Sequence, residues 1–341
     1  MFLNEKEKSM NEGMSLKELA ETIGVSRTTV SRVIAGHAQK YRISKTMEQK
    51  VRLAAERYGL VRNEVAHNLR MQKTDTVALM IPEVDNPFFS HLAHVVEHRL
   101  RESGRMVLLC SSSEDSAIER QVLSMIRGRQ IDGLLVAPVG TESTHFKALE
   151  RSPVVFVDRY LEDLAIPYVT TDNRRGGFLG AQYLIERGHR EIAIIQGLPE
   201  AVSNQDRVVG ISQVLSQLDK AIEVVGHGFT IENGHESTLR LLDKETRPTA
   251  IFTLGNQVAL GAMQAIQSRG LRIPDDISLI SFDDQPYFAL TCPPLTAVKQ
   301  PIDLIAESAV QMLLARLESS PVSSKRIHPH IVERKSVSQV S

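Results

Sequence analysis

Hydrophobic residues follow two periods along this chain, and the change comes near residue 75. Before it, apolar positions recur at helical spacing. Leu16, Leu19, Ala20 and Ile23 form one stripe, Val30, Val33 and Ile34 a second, and Met47, Val51, Ala54 and Ala55 a third. Stripes of this kind predict short amphipathic helices. Ser15 with Glu18 has the form of a capping box, and Gly24 that of a left-handed helix stop. Ser26 and Ser44 are placed to cap the next two helices, and Tyr58-Gly59-Leu60 to end the third. After residue 75, short apolar runs alternate with helical stretches. They are VALMI at 77–81, MVLLC at 106–110, GLLVA at 133–137, VVFVD at 154–158, IAIIQ at 192–196, AIFTL at 250–254 and ISLISF at 277–282. Such runs predict buried parallel strands in βαβ units.

Two short helices that meet at Gly24, the second opening on Ser26 and carrying Arg and Thr, have the form of a helix-turn-helix. Its second helix enters a DNA major groove. The outer face of that helix holds Arg27, Thr28, Ser31 and Arg32. Arg bonds guanine through two N–H groups and Thr suits a thymine methyl, so Arg27, Thr28 and Arg32 are candidates for reading bases. Ser26 and Ser31 are candidates for phosphates. A plain helical hairpin with a solvated basic face shares the pattern. Charge adds to the picture: residues 14–73 carry twelve Lys and Arg against five Asp and Glu, while the whole chain has a net charge of -1. The basic charge is concentrated on the helical segment, as a nucleic-acid reader requires.

The remaining composition excludes several classes. Hydrophobic content of 42% and charge of 24% over 341 residues fit a globular protein of two or three domains. Cys110 and Cys292 form no CxxC pair or metal-ligand spacing, which predicts a reduced, cytoplasmic setting. Residues 1–13 are polar and charged, read as a flexible extension with no apolar core of a signal peptide; Met10 and Met14 are alternative starts. No apolar run reaches the ~18 residues of a membrane span. There is no GxGxxG after the first strand, no P-loop, no HExxH, and no Ser-His or Cys-His spacing. Neither an enzyme nor a cofactor is expected. His91, His94 and His98 share a helical face and are read as solvated or interfacial rather than as a metal site.

Open α/β sheets bind ligands at the carboxyl ends of their strands. Asn86, Phe88 and Phe89 follow the first run, Asp158 and Arg159 follow VVFV, and Arg207 lies beyond IAIIQ. Asn256 follows AIFTL, Asp283 follows ISLISF, and Gln300 follows the predicted strand Thr296-Ala297-Val298. Carboxylates and Arg each bond two adjacent hydroxyls, and aromatic faces pack on the C–H surface of a ring, so the set suits a sugar. Asp158 and Asp283 can each instead cap the helix after its strand.

The run GVSRTTVSRVIAG at 24–36, Arg62-Asn63-Glu64-Val65-Ala66 and Leu69 together resemble the LacI/GalR family of bacterial repressors. Lys40-Tyr41-Arg42-Ile43-Ser44 is similar to its fructose- and sucrose-repressor branch. The remainder resembles the periplasmic sugar-binding proteins that this family uses as a sensor, through NPFF, VDR, DNRRGG, YLIERGH, SFDD, PPLTAVKQ and IVERKSV. The resemblance implies an N-terminal all-α helix-turn-helix bundle at 14–61, a hinge helix and linker at 62–74, and a sugar-binding sensor at 75–337. That sensor is an α/β two-lobed, periplasmic-binding-protein-like domain with parallel sheets. Its first lobe would hold about 75–172 and 301–322, its second about 173–300 and 323–337, joined by three crossovers. Asn63, Ala66 and Leu69 would lie on a helix that folds in the DNA minor groove, with Leu69 as a wedge that kinks the duplex.

The resemblance carries the ligand role to Asn86, Phe88, Phe89, Asp158, Arg159, Arg207, Asn256, Asp283 and Gln300, a set similar to that of ribose-type binding proteins. The chain departs from the family at Arg62, where Pro is usual, at His67, where Arg is usual, and at Gln257, where Asp is usual. The implied protein is a cytoplasmic, homodimeric repressor of double-stranded operator DNA, controlled by a monosaccharide or sugar derivative. A regulator with a nucleobase corepressor and a phosphosugar-responsive dual regulator are the alternatives. The sequence leaves open which sugar it is, and whether it is phosphorylated.

Overall fold

Helix α1 (Leu16–Ile23) begins as its capping residues dictate: Ser15 Oγ accepts from the Glu18 N–H, and Glu18 reaches back to the Ser15 N–H at 2.7 Å. It stops at Gly24, whose φ of 72° is costly for a residue with a Cβ. Ser26 then caps α2 (Arg27–Ile34), and Ser44 caps α3 (Lys45–Arg57), with Tyr58 at its C-cap. Leu19, Ala20, Val30, Val33, Ala38, Val51 and Ala55 are buried together, so the three predicted stripes meet in one small core. Lys50 Nζ donates to the Ile23 carbonyl at 3.0 Å, tying α3 to the end of α1.

This computed structural model describes residues 14–58, 60, 73–216, 218 and 222–340, and the chain divides into one unit up to Thr74 and another from Asp75. Asn63, Ala66 and Leu69, with Gly59 and residues 1–13, lie outside the described residues.

The second unit opens with β1 (Thr76–Ile81), α4 (Pro87–Glu102), β2 (Met106–Ser111), α5 (Ser116–Arg127), β3 (Gly133–Val136), β4 (Val154–Val157) and β5 (Tyr168–Thr171). There follow α6 (Asn173–Glu186), β6 (Ile192–Ile195), α7 (Val202–Leu215), β7 (Glu223–Val225), α8 (Ile231–Leu242), β8 (Ala250–Thr253), α9 (Asn256–Ser268), β9 (Ser278–Phe282) and β10 (Thr296–Lys299). It closes with α10 (Ile302–Leu317), β11 (Lys325–Ile327) and β12 (His330–Val332).

Two six-stranded sheets result, in the orders β11-β5-β4-β3-β1-β2 and β12-β10-β9-β8-β6-β7. All pairings are parallel except β10 with β12. In β1, Val77, Leu79 and Ile81 pack under α4 and α10, while Ala78 and Met80 face α5 on the other side. Both faces of the sheet are thus covered, which is why its central strands read as continuous apolar runs. In the second lobe, Ala181, Leu184, Ile211 and Val214 of α6 and α7 cover one face, and Leu241, Val258, Ala262 and Ile266 of α8 and α9 the other.

The structure corrects two expectations and adds two strands. The final segment is not one strand of the second lobe: β11 pairs with β5 in the first sheet, so the chain changes lobe at 328–329 rather than before 323. β2 is apolar yet not buried, with Met106 71% and Leu109 42% exposed, because it is an edge strand. The added strands are β5 and β7, whose sequences YVTT and EVV carry too short an apolar run to stand out.

Candidate functional site

Each lobe presents one carboxylate by the same local device. The Asp158 N–H donates to Val169 O at 2.9 Å, and the Asp283 N–H to Val298 O at 2.9 Å, so the ladder runs one residue past β4 and past β9. Both residues then take left-handed backbone, φ 65° and 72°, which turns their side chains out of the sheet. Asp tolerates this region better than most residues, and its use at equivalent places in both lobes marks a constrained site. Neither side chain caps the segment after its own strand. Asp283 accepts from Gln300 Nε2 and from the Asn256 backbone N–H, and Asp158 Oδ1 is buried without a partner.

The cleft between the lobes is lined by Asn86, Phe88, Phe89, Asp158 and Arg159 from the first lobe, and by Ser203, Arg207, Phe229, Asp283 and Gln300 from the second. The space among them is about 290 Å³ when its open mouth is included. Eight of the nine residues expected from sequence are in this lining. The ninth, Asn256, stands beside it: its Nδ2 donates to Asn86 Oδ1 at 3.3 Å across the lobes, and its own Oδ1 is buried without a partner. Tyr160 makes a second bridge between lobes, donating to Asp206 Oδ2 at 3.3 Å.

Close helix packing places Arg207. A Cβ on Gly177 would come within 2.1 Å of the Arg207 carbonyl, and one on Gly210 within 1.9 Å of the Arg174 carbonyl, so α6 and α7 touch backbone to backbone. From there Arg207 donates Nε to Asn173 Oδ1 and Nη1 to Leu254 O, both at 2.9 Å, and lies 3.7 Å over the Phe282 ring. Arg159 lies between the rings of Phe89 and Phe229, 5.7 and 5.5 Å from their centres. Its two Nη atoms donate to Glu114 at 2.7 and 2.6 Å.

Burial pushes Asp158 up to about 6 from 3.8, against the pull of Arg159 and Arg207. Burial raises Asp283 as well, opposed by Arg207 and the Gln300 hydrogen bond. Burial also lowers Arg207, partly offset by the two aspartates. Buried charges of both signs, with polar atoms left unpaired, form a site prepared to bond a ligand.

Sequence reasoning missed Glu114, Asn173, Ser203 and Phe229. Glu114 stands just beyond β2, where the strand-end rule reaches it. Phe229 follows β7, and without that strand the rule had no anchor.

In the first unit, Ser26, Arg27, Thr28 and Ser31 are exposed on one face of α2. Ser26 Oγ is engaged in capping, accepting from the Thr29 N–H at 3.0 Å. Arg32 is half-buried, its guanidinium stacked 3.9 Å over the Tyr41 ring, so it is held to the loop after α2. On α4, His91 pairs with Asp303 at 2.8 Å. Among the described residues no group of three or more His, Cys, Asp or Glu is arranged to hold a metal.

Comparison with known proteins bears on the family and the fold. Residues 15–63 match the family described as bacterial regulatory proteins, lacI family, and residues 181–337 match a periplasmic binding protein-like domain. The chain is 33% identical over 333 residues to the HTH-type transcriptional repressor PurR of Pectobacterium atrosepticum, covering 95% of this chain and 96% of that one. The lac repressor dimer bound to operator and the anti-inducer ONPF superposes with a TM-score of 0.86 at 25% identity, covering 96% of this chain and 100% of that one. A LacI family regulator from Enterococcus faecium with bound ribose gives 0.71 at 25% identity, over 78% and 100%. With a helix-turn-helix head, two wound lobes around a polar cleft and a repressor relative matched over nearly its whole length, this chain belongs to the LacI family of bacterial transcriptional regulators.

Proposed function

We propose that this regulator binds a pseudo-palindromic operator as a homodimer, one helix-turn-helix per half-site, and that a monosaccharide in the cleft controls its affinity. The exposed face of Arg27, Thr28 and Ser31 on a basic, three-helix head supports DNA reading. The observation that carries the sugar is the cleft itself. Two buried carboxylates and two buried guanidiniums lie among three phenylalanines, with Asp158 Oδ1 and Asn256 Oδ1 unpaired. Hydroxyls on one ring satisfy such atoms, and the aromatic faces take its C–H surface.

Control requires that the sugar bind the DNA-competent and DNA-incompetent states unequally. A 1000-fold loss of operator affinity needs about 4 kcal/mol of that difference. Residues 63–71 are the segment where the family resemblance puts the coupling, with Asn63, Ala66 and Leu69 at the minor groove.

The reading is binding without turnover, as in the transcriptional regulators that the chain resembles. The protein acts in the cytoplasm, where its operator is. Among the described residues no helix is long and apolar enough to cross a membrane. A thermal-shift screen of free sugars, phosphosugars and nucleobases, followed by operator release measured by fluorescence anisotropy, tests the proposal. A sugar at 100 times its dissociation constant adds about 2.7 kcal/mol to unfolding. Stabilisation by a nucleobase alone replaces the sugar with the corepressor alternative, and conversion of the bound sugar to product makes the protein an enzyme.

A further inference from the structure

The charges of the cleft are already matched to one another. Arg159 spends both Nη groups on Glu114 in a two-point ion pair, and its Nε is 3.8 Å from Asp158 Oδ2. Arg207 gives N–H groups to Asn173 and Leu254, and Asp283 Oδ2 stands 3.9 Å from its Nη1. Three carboxylates therefore face two guanidiniums. Glu119 acts on Arg159 as a fourth: burial lowers the pKa of that guanidinium, and Glu114, Asp158 and Glu119 together more than offset it.

The unmet polar atoms point the same way. Asp158 Oδ1 and Asn256 Oδ1 need a proton to accept, and Arg159 Nε has one to donate. Hydroxyl groups do both. The phosphate group of a sugar ester near pH 7 offers acceptor oxygens almost alone and brings a charge of about -1.5 to -2. Placed here it would face carboxylates, while the cation with the best fork for it is held elsewhere.

We infer, on the sugar reading above, that the cleft takes an uncharged polyhydroxylated ligand and rejects its phosphate esters, and that Glu114 enforces the rejection by occupying Arg159. Glu114 sits in the turn after β2, where it and Ser113 both take left-handed backbone, φ 52° and 50°. Its carboxylate does not line the cleft, so it selects through the arginine it holds. This is specificity by removal of an attractive group from the wrong ligand.

Calorimetry on the full chain with matched pairs tests this: D-ribose and D-ribose 5-phosphate, D-fructose and D-fructose 6-phosphate, D-glucose and D-glucose 6-phosphate. At least one free sugar binds, and its ester binds about 100-fold more weakly. In Glu114→Gln the ratio between the two narrows by about tenfold, and in Glu114→Asp it stays near the wild-type value. The ratio is taken within one protein, so lost stability does not imitate the effect, and the wild-type pairs decide the ligand class even where a variant folds poorly. An ester that binds as well as its free sugar overturns the inference and leaves the sugar reading standing. Silence from every pair removes both. An unchanged ratio in Glu114→Gln strips Glu114 of the role.

Discussion

Acid weakens effector binding through Asp158. A ligand hydroxyl that donates to Oδ1 needs the ionised carboxylate, and burial has moved this group to about 6. Such a group is about nine-tenths ionised at pH 7 and about one-tenth at pH 5, so the association constant falls about tenfold across that range. At its ordinary value of 3.8 the group would stay ionised at both, and the affinity would hardly move. Nearly one proton leaves with each binding event at pH 5.

Stability of the unliganded domain moves the other way. The folded state holds the Asp158 proton more tightly than the unfolded chain, so between about 3.8 and 6 the free energy of unfolding falls as pH rises. At neutral pH this group costs the fold about 3 kcal/mol, a cost relieved as pH drops through 6. Titration calorimetry at pH 5, 6 and 7, in two buffers of different ionisation enthalpy, reads affinity and proton release together. Asp158→Asn binds more weakly at pH 7 and loses the slope. A wild-type affinity that is flat from pH 7 to pH 5 refutes the assignment of Asp158 to the ligand.

Arg27→Ala loses about 1–3 kcal/mol of operator-specific binding while sugar affinity is unchanged; an unaltered footprint takes Arg27 out of the reading set. Gly177→Ala drives a methyl into the Arg207 carbonyl and separates α6 from α7, lowering stability by about 1–3 kcal/mol and effector affinity with it. Normal thermal unfolding of that variant would show the helices free to part. Leu69→Ala reduces operator bending in a permuted-site gel assay, and an unchanged bend angle removes the wedge role.

Caps and central strands were legible in the sequence because their signals are local. Ser15, Gly24, Ser26 and Ser44 act on their own neighbours, and β1, β3, β4, β6, β8 and β9 are buried on both faces. What was not legible depends on partners distant in the chain. β2 and β1 read alike as apolar runs, but only one has a neighbour on each side. β11 and β12 are three residues each, and which sheet takes them is set by β5 and β10, not by their own pattern. In the cleft, strand ends led to eight of ten lining residues, since the fold rule is geometric. That Arg159 is tied to Glu114, 45 positions away, has no local signature.

The two lobes are interlaced by the last turns of the chain, and this bears on how the protein is made. The first sheet lacks its outer strand until Lys325–Ile327 exists, and the second until His330–Val332 follows two residues later. Beyond them Ser336 is fully buried, its Oγ accepting from the Thr296 N–H, and Val340 donates to Arg187 O. A ribosome therefore releases the small helical head hundreds of residues before either lobe can close, and such early units fold first during synthesis. A chain cut between β10 and β11 leaves β5 and β10 as bare edges, open to pairing with other chains.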